Sequence, residues 1–121
     1  MTEADIASLF DEWNNALQTG EPKTITALYE SDAILLPTVS NKVRHNHAEI
    51  EDYFVTFMAK KPIGKMNEAN IRIFDQVAIQ SGVYTFTLKD GSAVPARFTF
   101  VYRWNGQRWM IIEHHSSQMP E

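Results

Sequence analysis

The chain is 121 residues long, 44% hydrophobic and 12% aromatic, with no cysteine and a formal net charge of −4. That length fits one domain with a sizeable core, and that apolar content excludes intrinsic disorder. The scattered, net acidic charge argues against nucleic acid and anionic membranes as partners, and the lack of cysteine removes disulfides, thiolate nucleophiles and cysteine-based zinc sites.

The start, MTEADIASLFDEW, is acidic and interrupted by charge, unlike a signal peptide. No apolar run reaches membrane-spanning length, so the expectation is a cytoplasmic protein. From Ala4 to Gln18, apolar residues at Ile6, Leu9, Phe10, Trp13 and Leu17 fall on one helical face. Thr2 followed by Asp5 resembles a capping box and Gly20 is a natural stop. A short second helix begins at Pro22 and carries Ile25, Leu28 and Tyr29 on one side. AILLP then reads as a short strand ended by Pro37, followed by the polar loop TVSNKVRHNH. A third helix runs from about His47 to Ala59, with Ile50, Tyr53, Phe54, Phe57 and Met58 on one face and Lys60 and Lys61 suiting its C-terminal dipole.

Beyond this point the hydrophobic period changes to two. ANIRIF, VAIQSGVYTFTL, VPARFTFVYRW and RWMIIEHH read as strands, joined by turns at Asp75-Gln76, Asp90-Gly91 and Asn105-Gly106. Helices first and antiparallel strands later give an α+β fold, with the helices on one face of a curved sheet. One domain spans residues 1–121.

A two-residue turn at Asn105-Gly106 pairs Trp104 with Gln107, Tyr102 with Trp109, Phe100 with Ile111, Phe98 with Glu113 and Ala96 with His115. Opposed residues share a face. One face then holds Phe98, Phe100, Tyr102, Trp104, Trp109, Ile111, Glu113 and His115. The other holds Arg97, Thr99, Val101, Arg103, Arg108, Met110, Ile112 and His114. Around Asp90-Gly91, a two- or four-residue loop would put Val83, Thr85 and Thr87 on the aromatic face and a three-residue loop Gly82, Tyr84 and Phe86. The sequence leaves both registers open, and the second is preferred because it gathers the aromatics.

On this register Glu113 and His115 are the candidate acid/base pair, with Tyr84 as a hydrogen-bond donor to a carbonyl or enolate. The competing reading places them at a rim, satisfying each other. Tyr53, Phe57, Phe98, Phe100, Tyr102, Trp109 and Ile111 are the candidate ligand-lining side chains, or alternatively plain core. Arg97 and His114 pair across the second face, which with Thr99, Val101, Arg103, Met110 and Ile112 reads as a subunit interface, the alternatives being an anion site at Arg97 and His114 or a plainly exposed face. His45 and His47 lack further ligands at metal-binding spacing and read as loop and helix-start residues, with Asn46 as N-cap. Ser116 and Ser117 sit on no nucleophile elbow. No cofactor and no metal are expected.

ALYESDAILLPTVSNKVR, EIEDYFVTFMAKKP and GVYTFTLKDGSAVPARFTFVYRWNGQRWMIIEHHSSQMPE together resemble the SnoaL-like and nuclear transport factor 2-like superfamily. Within it, the chain most resembles stand-alone bacterial relatives of the association (hub) domain of calcium/calmodulin-dependent protein kinase II. The resemblance implies a cone of three helices closed over a strongly bent antiparallel sheet, a cavity between the layers, and homodimers, or rings of dimers, through the outer sheet face. It implies no kinase activity, since no kinase domain is present. The animal hub lines its cavity with carboxylate-binding arginines, whereas the matching positions here hold Tyr84 and Phe100, with Glu51 near the helical one. The expectation is a self-associating domain that binds a small apolar or aromatic ligand in its cone. The alternatives are an isomerase or cyclase of the SnoaL or ketosteroid isomerase type, and a pure oligomerisation module.

Overall fold

The computed structural model describes residues 2–38 and 40–121; Met1 and Val39, the latter inside the polar loop after Pro37, lie outside the described residues. Three helices, α1 (Glu3–Gln18), α2 (Pro22–Thr26) and α3 (His47–Met58), accompany five strands. These are β1 (Tyr29–Leu36), β2 (Ile63–Phe74), β3 (Val77–Thr87), β4 (Ala93–Trp104) and β5 (Trp109–Gln118). The strands form one curved, open sheet in the order β1-β5-β4-β3-β2. All neighbours are antiparallel except β1, which runs parallel to β5. Among the described residues no helix is long and apolar enough to cross a membrane.

Local chemistry sets the helix ends. Thr2 and Asp5 make the reciprocal capping box, Thr2 N donating to Asp5 Oδ2 at 2.8 Å and Asp5 N to Thr2 Oγ1 at 3.3 Å. Asn46 Oδ1 caps α3 by accepting from Glu49 N at 3.0 Å. The second helix is shorter than its apolar spacing suggests. It ends at Thr26, and Tyr29 begins β1 instead of completing a helical face. β2 is longer than ANIRIF, starting at Ile63.

The turns fix the sheet. Leu88 and Ser92 close the three-residue loop Lys89–Asp90–Gly91, with Leu88 N donating to Ser92 O at 2.9 Å and Gly91 at φ +86°. Tyr84 and Phe86 therefore do face the core. The last hairpin turns one residue later than expected. Asn105 N donates to Arg108 O at 3.1 Å, Trp104 pairs with Trp109, and Gly106 takes φ +100°. As far as the Tyr102–Ile111 pair each partner thus moves by two positions, which preserves parity. Phe98, Phe100, Tyr102, Trp109 and Ile111 stay on the inner face, all buried.

Parity then breaks inside β5. A bulge falls between the pairs Tyr102–Ile111 and Val101–Glu113, so Ile112 has no partner of its own. Beyond it Phe100 opposes His114, Thr99 opposes His115 and Phe98 opposes Ser116. The expected placement of Glu113 and His115 on the aromatic face is corrected. Both are exposed on the outer face, and His114, expected outside with Arg97, is buried at 3% exposure.

A second bulge at Asn67 separates the pairs Met66–Tyr84 and Glu68–Val83. It presses the β2 backbone onto Gly82, where an added Cβ would lie 1.9 Å from Glu68 O. α1 is tied to the same strand by Asn14. Its Nδ2 donates to Gly64 O at 2.9 Å and its Oδ1 accepts from Gly64 N at 2.9 Å. The core between the helices and the sheet is an aromatic cluster around Trp13. That indole stacks on Tyr84 at 6.3 Å and meets the edges of Phe100 and His114, each at 5.6 Å.

Candidate functional site

The inner ends of β1, β3 and β5 bring together a continuous polar chain inside this apolar cluster. Trp13 Nε1–H, from α1, donates to Tyr29 Oη at 3.1 Å. Tyr29 Oη lies 2.8 Å from His114 Nδ1, and His114 Nε2 lies 3.1 Å from Tyr84 Oη. Tyr84 donates to Ser116 Oγ at 2.6 Å, and Ser116 Oγ is hydrogen-bonded to Thr38 Oγ1. Directionality assigns the tautomer. The Tyr84 proton is used on Ser116, so His114 Nε2–H donates to Tyr84 and Nδ1 accepts from Tyr29. Every group in this run has a hydrogen-bond partner, which is the condition for burying polar atoms cheaply.

Sequence dictates why these residues meet. His114 and Ser116 are two apart on β5 and share its inner face, while Tyr84 lies two strands away on β3, in register with Ala96 and Gln118, and its long side chain reaches back to both. Tyr29 reaches them because β1 is irregular between its pairings Tyr29–Ile111 and Ile34–Glu113. His47 holds Tyr29 from behind, its Nε2–H donating to Tyr29 O at 2.7 Å.

The electrostatics follow from burial. The His114 imidazole stacks on Phe100 at 4.0 Å, and burial, with a smaller contribution from His115, lowers its pKa to about 3. It is a neutral ring at any physiological pH. Burial also pushes the hydroxyls of Tyr29, Tyr84, Tyr53 and Tyr102 above the ordinary phenol range; the hydrogen bonds of Tyr29 to Trp13, Tyr84 to Ser116 and Tyr102 to Gln80 pull the other way. Such a chain donates and accepts hydrogen bonds but carries no charge.

The space left beside it is small. A cavity lined by Trp13, Tyr53, Phe54, Phe57, Tyr84, His114 and Ser116, among others, retains about 10 Å³ for the centre of a water-sized atom. That is room for about one water. Phe98, Phe100 and Tyr102 point inward but pack on Tyr84 and on one another at centroid separations of 4.5 to 5.6 Å. Trp109 and Ile111 line a separate crevice with Leu28 and Tyr102. The expected ligand-lining side chains are thus not one open pocket. Among the described residues no group of three or more His, Asp or Glu side chains gathers to hold a metal.

Of the three acid/base candidates, only Tyr84 belongs to the inner chain. Glu113 and His115 stand on the opposite side of the sheet from it. Glu51 is on the surface, with Lys23 Nζ 3.3 Å from its Oε1. The sequence reading missed Tyr29, Trp13 and Thr38. The i, i+2 spacing of His114 and Ser116 was the available signal.

The outer sheet face carries Val77, Ile79, Val83, Val101, Met110 and Ile112, all half-buried, with Phe74 at 55% exposure near its margin. Arg97 and Arg103 are exposed there, and Thr99 is half-buried. Arg103 is paired with Glu30 of β1, its Nε donating to Oε2 at 3.0 Å.

Comparison with known proteins places this arrangement. The family model described as calcium/calmodulin dependent protein kinase II association domain matches residues 2–120. A proposed association domain of that kinase from Xanthomonas campestris is 51% identical, with a TM-score of 0.95 over 100% of this chain and 91% of that one. An NTF2-like protein of unknown function from Pseudomonas putida superposes with a TM-score of 0.83 at 18% identity, covering 95% of this chain and 84% of that one. A proposed ketosteroid isomerase from Parabacteroides distasonis gives 0.78 at 20% identity, over 95% and 86% of the two chains. The last two share the fold only. No curated protein matches the chain in sequence.

Proposed function

The chain belongs to the calcium/calmodulin-dependent protein kinase II association-domain family, and from that premise we propose that it is a self-association module. It assembles as a homodimer, or as a ring of dimers, through the outer face of its sheet, and its cone is a packed core. The observation that carries this reading is the contrast between the two sheet faces. The inner face is filled to about one water's room by its own side chains. The outer face bears six half-buried apolar residues that no helix of the described chain covers. A monomer has little reason to keep such a face apolar, whereas an isologous dimer uses it twice. Sedimentation across concentration tests this. A dimer or a multiple of dimers is expected at about 100 µM protomer, and a clean monomer at that concentration sinks the proposal.

A second reading rests on the inner chain. If the cone admits a small ligand by displacement of Phe57 and Tyr53, the groups that meet it are Tyr84 and His114. Acid/base isomerisation would then use that pair, with no part for Glu113 or His115. His114→Gln and Tyr84→Phe would abolish turnover of an enolisable ketone; turnover that survives both would remove the reading.

A further inference from the structure

The charges of the outer face suggest how two copies meet. Arg103 is neutralised within the chain by Glu30. Arg97 and Glu113 are both exposed on that face, and neither makes an ion pair among the described residues. They flank one cross-strand pair, Thr99–His115. Arg97 lies two residues beyond Thr99 on β4, and Glu113 lies two residues beyond His115 on β5, toward the opposite end. Strand geometry therefore puts their Cα atoms about 14 Å apart, the line between them tilted about 20° from the strands.

That placement is self-complementary. For two sheets packed face to face, the two-fold axis lies in the plane between them. An axis passing over Thr99 and His115, perpendicular to the Arg97–Glu113 line, carries each residue onto the position of the other. The strands of the two sheets then cross at about 40°, close to the roughly 30° of aligned sheet packing. We infer that the module dimerises about a two-fold axis over the Thr99–His115 pair, with Arg97 of each protomer paired to the partner's Glu113. Two opposite charges left unpaired at mirrored positions on either side of the Thr99–His115 pair become two reciprocal ion pairs flanking the axis. The bulge in β5 makes this possible, since on a regular strand Glu113 would point into the core. The inference rests on the dimer reading above and adds its register.

Charge reversal tests it. Arg97→Glu and Glu113→Arg each replace both pairs with like charges and should raise the dimer dissociation constant about tenfold or more. The double variant should return within about threefold of the natural protein. Most tellingly, equimolar mixing of the two single variants should form heterodimers, because both pairs are then opposite in sign. Sedimentation velocity and exchange of tagged subunits read these outcomes, and circular dichroism with Tm checks that each variant folds. The register is overturned if both single variants dimerise like the natural chain, or if mixing them gives no heterodimer while the natural chain dimerises. In that second pattern the dimer itself still stands. A natural chain that is monomeric overturns both.

Discussion

Acidification from pH 7 to pH 5 should already destabilise this protein, and the cause should be His114. The folded imidazole is held neutral down to about pH 3 by burial, where it stacks on Phe100, with a smaller contribution from His115. In an unfolded chain the same group protonates near pH 6.5. Between these values the unfolded state binds the extra proton, so lowering the pH favours unfolding. The stabilising effect is complete above about pH 6.5 and is lost progressively as pH falls toward 3. The slope is about 1.4 kcal/mol per pH unit, which gives about 2 kcal/mol between pH 7 and pH 5. With a urea m-value of about 2 kcal/mol/M, the unfolding midpoint should fall by about 1 M over that range. Tryptophan fluorescence is the readout, Trp13 being buried at the network itself, with protomer concentration held fixed. His114→Gln should be less stable at pH 7 but nearly flat from pH 7 to pH 5. A natural chain and variant that lose stability in parallel would refute the reasoning. So would an NMR titration in which the His114 ring protonates above pH 5. The carboxylates of Asp5, Glu49 and Asp90 are exposed and held below their usual range by hydrogen bonds, to the Thr2 backbone, the His45 side chain and the Ser92 side chain respectively, so their losses come only at lower pH.

Two further outcomes follow from backbone contacts. Gly82→Ala sets a methyl 1.9 Å from Glu68 O and should cost about 3 kcal/mol or more, lowering Tm by roughly 10 °C; a shift under about 2 °C would mean that β2 does not press on Gly82. Asn14→Ala leaves Gly64 N–H and C=O without their side-chain partner and should cost about 2 kcal/mol, with faster amide exchange at Gly64; unchanged exchange there would break the link between α1 and β2.

Much of the fold was legible because its signals are local. The Thr2–Asp5 capping box, the Asn46 cap, the three-residue loop before Ser92 and the alternation of Phe98, Phe100 and Tyr102 each depend on neighbours in sequence. The family resemblance was legible for the same reason, in runs such as ARFTFVYRW and EHHSS. Misplacing the Asn105–Gly106 turn by one residue did little harm, since a shift of two positions leaves every side chain on its own face.

The candidate site was not legible, for one physical reason. Strand parity propagates, so one extra residue reverses every facing beyond it. Nothing in MIIEHHSS, which has neither glycine nor proline, marks Ile112 as that residue. What selects the bulge is tertiary. With it, His114 and Ser116 find Tyr29, Tyr84 and Thr38 inside the core, and Glu113 remains in water. Without it, a carboxylate would be buried among aromatic rings with no cation to meet it, which is far more costly than one broken ladder pair. The sequence by itself determined the helices, the strands and the identity of the aromatic core. The packed cone determined which of two adjacent histidines became part of that core, and which charges were left facing outward.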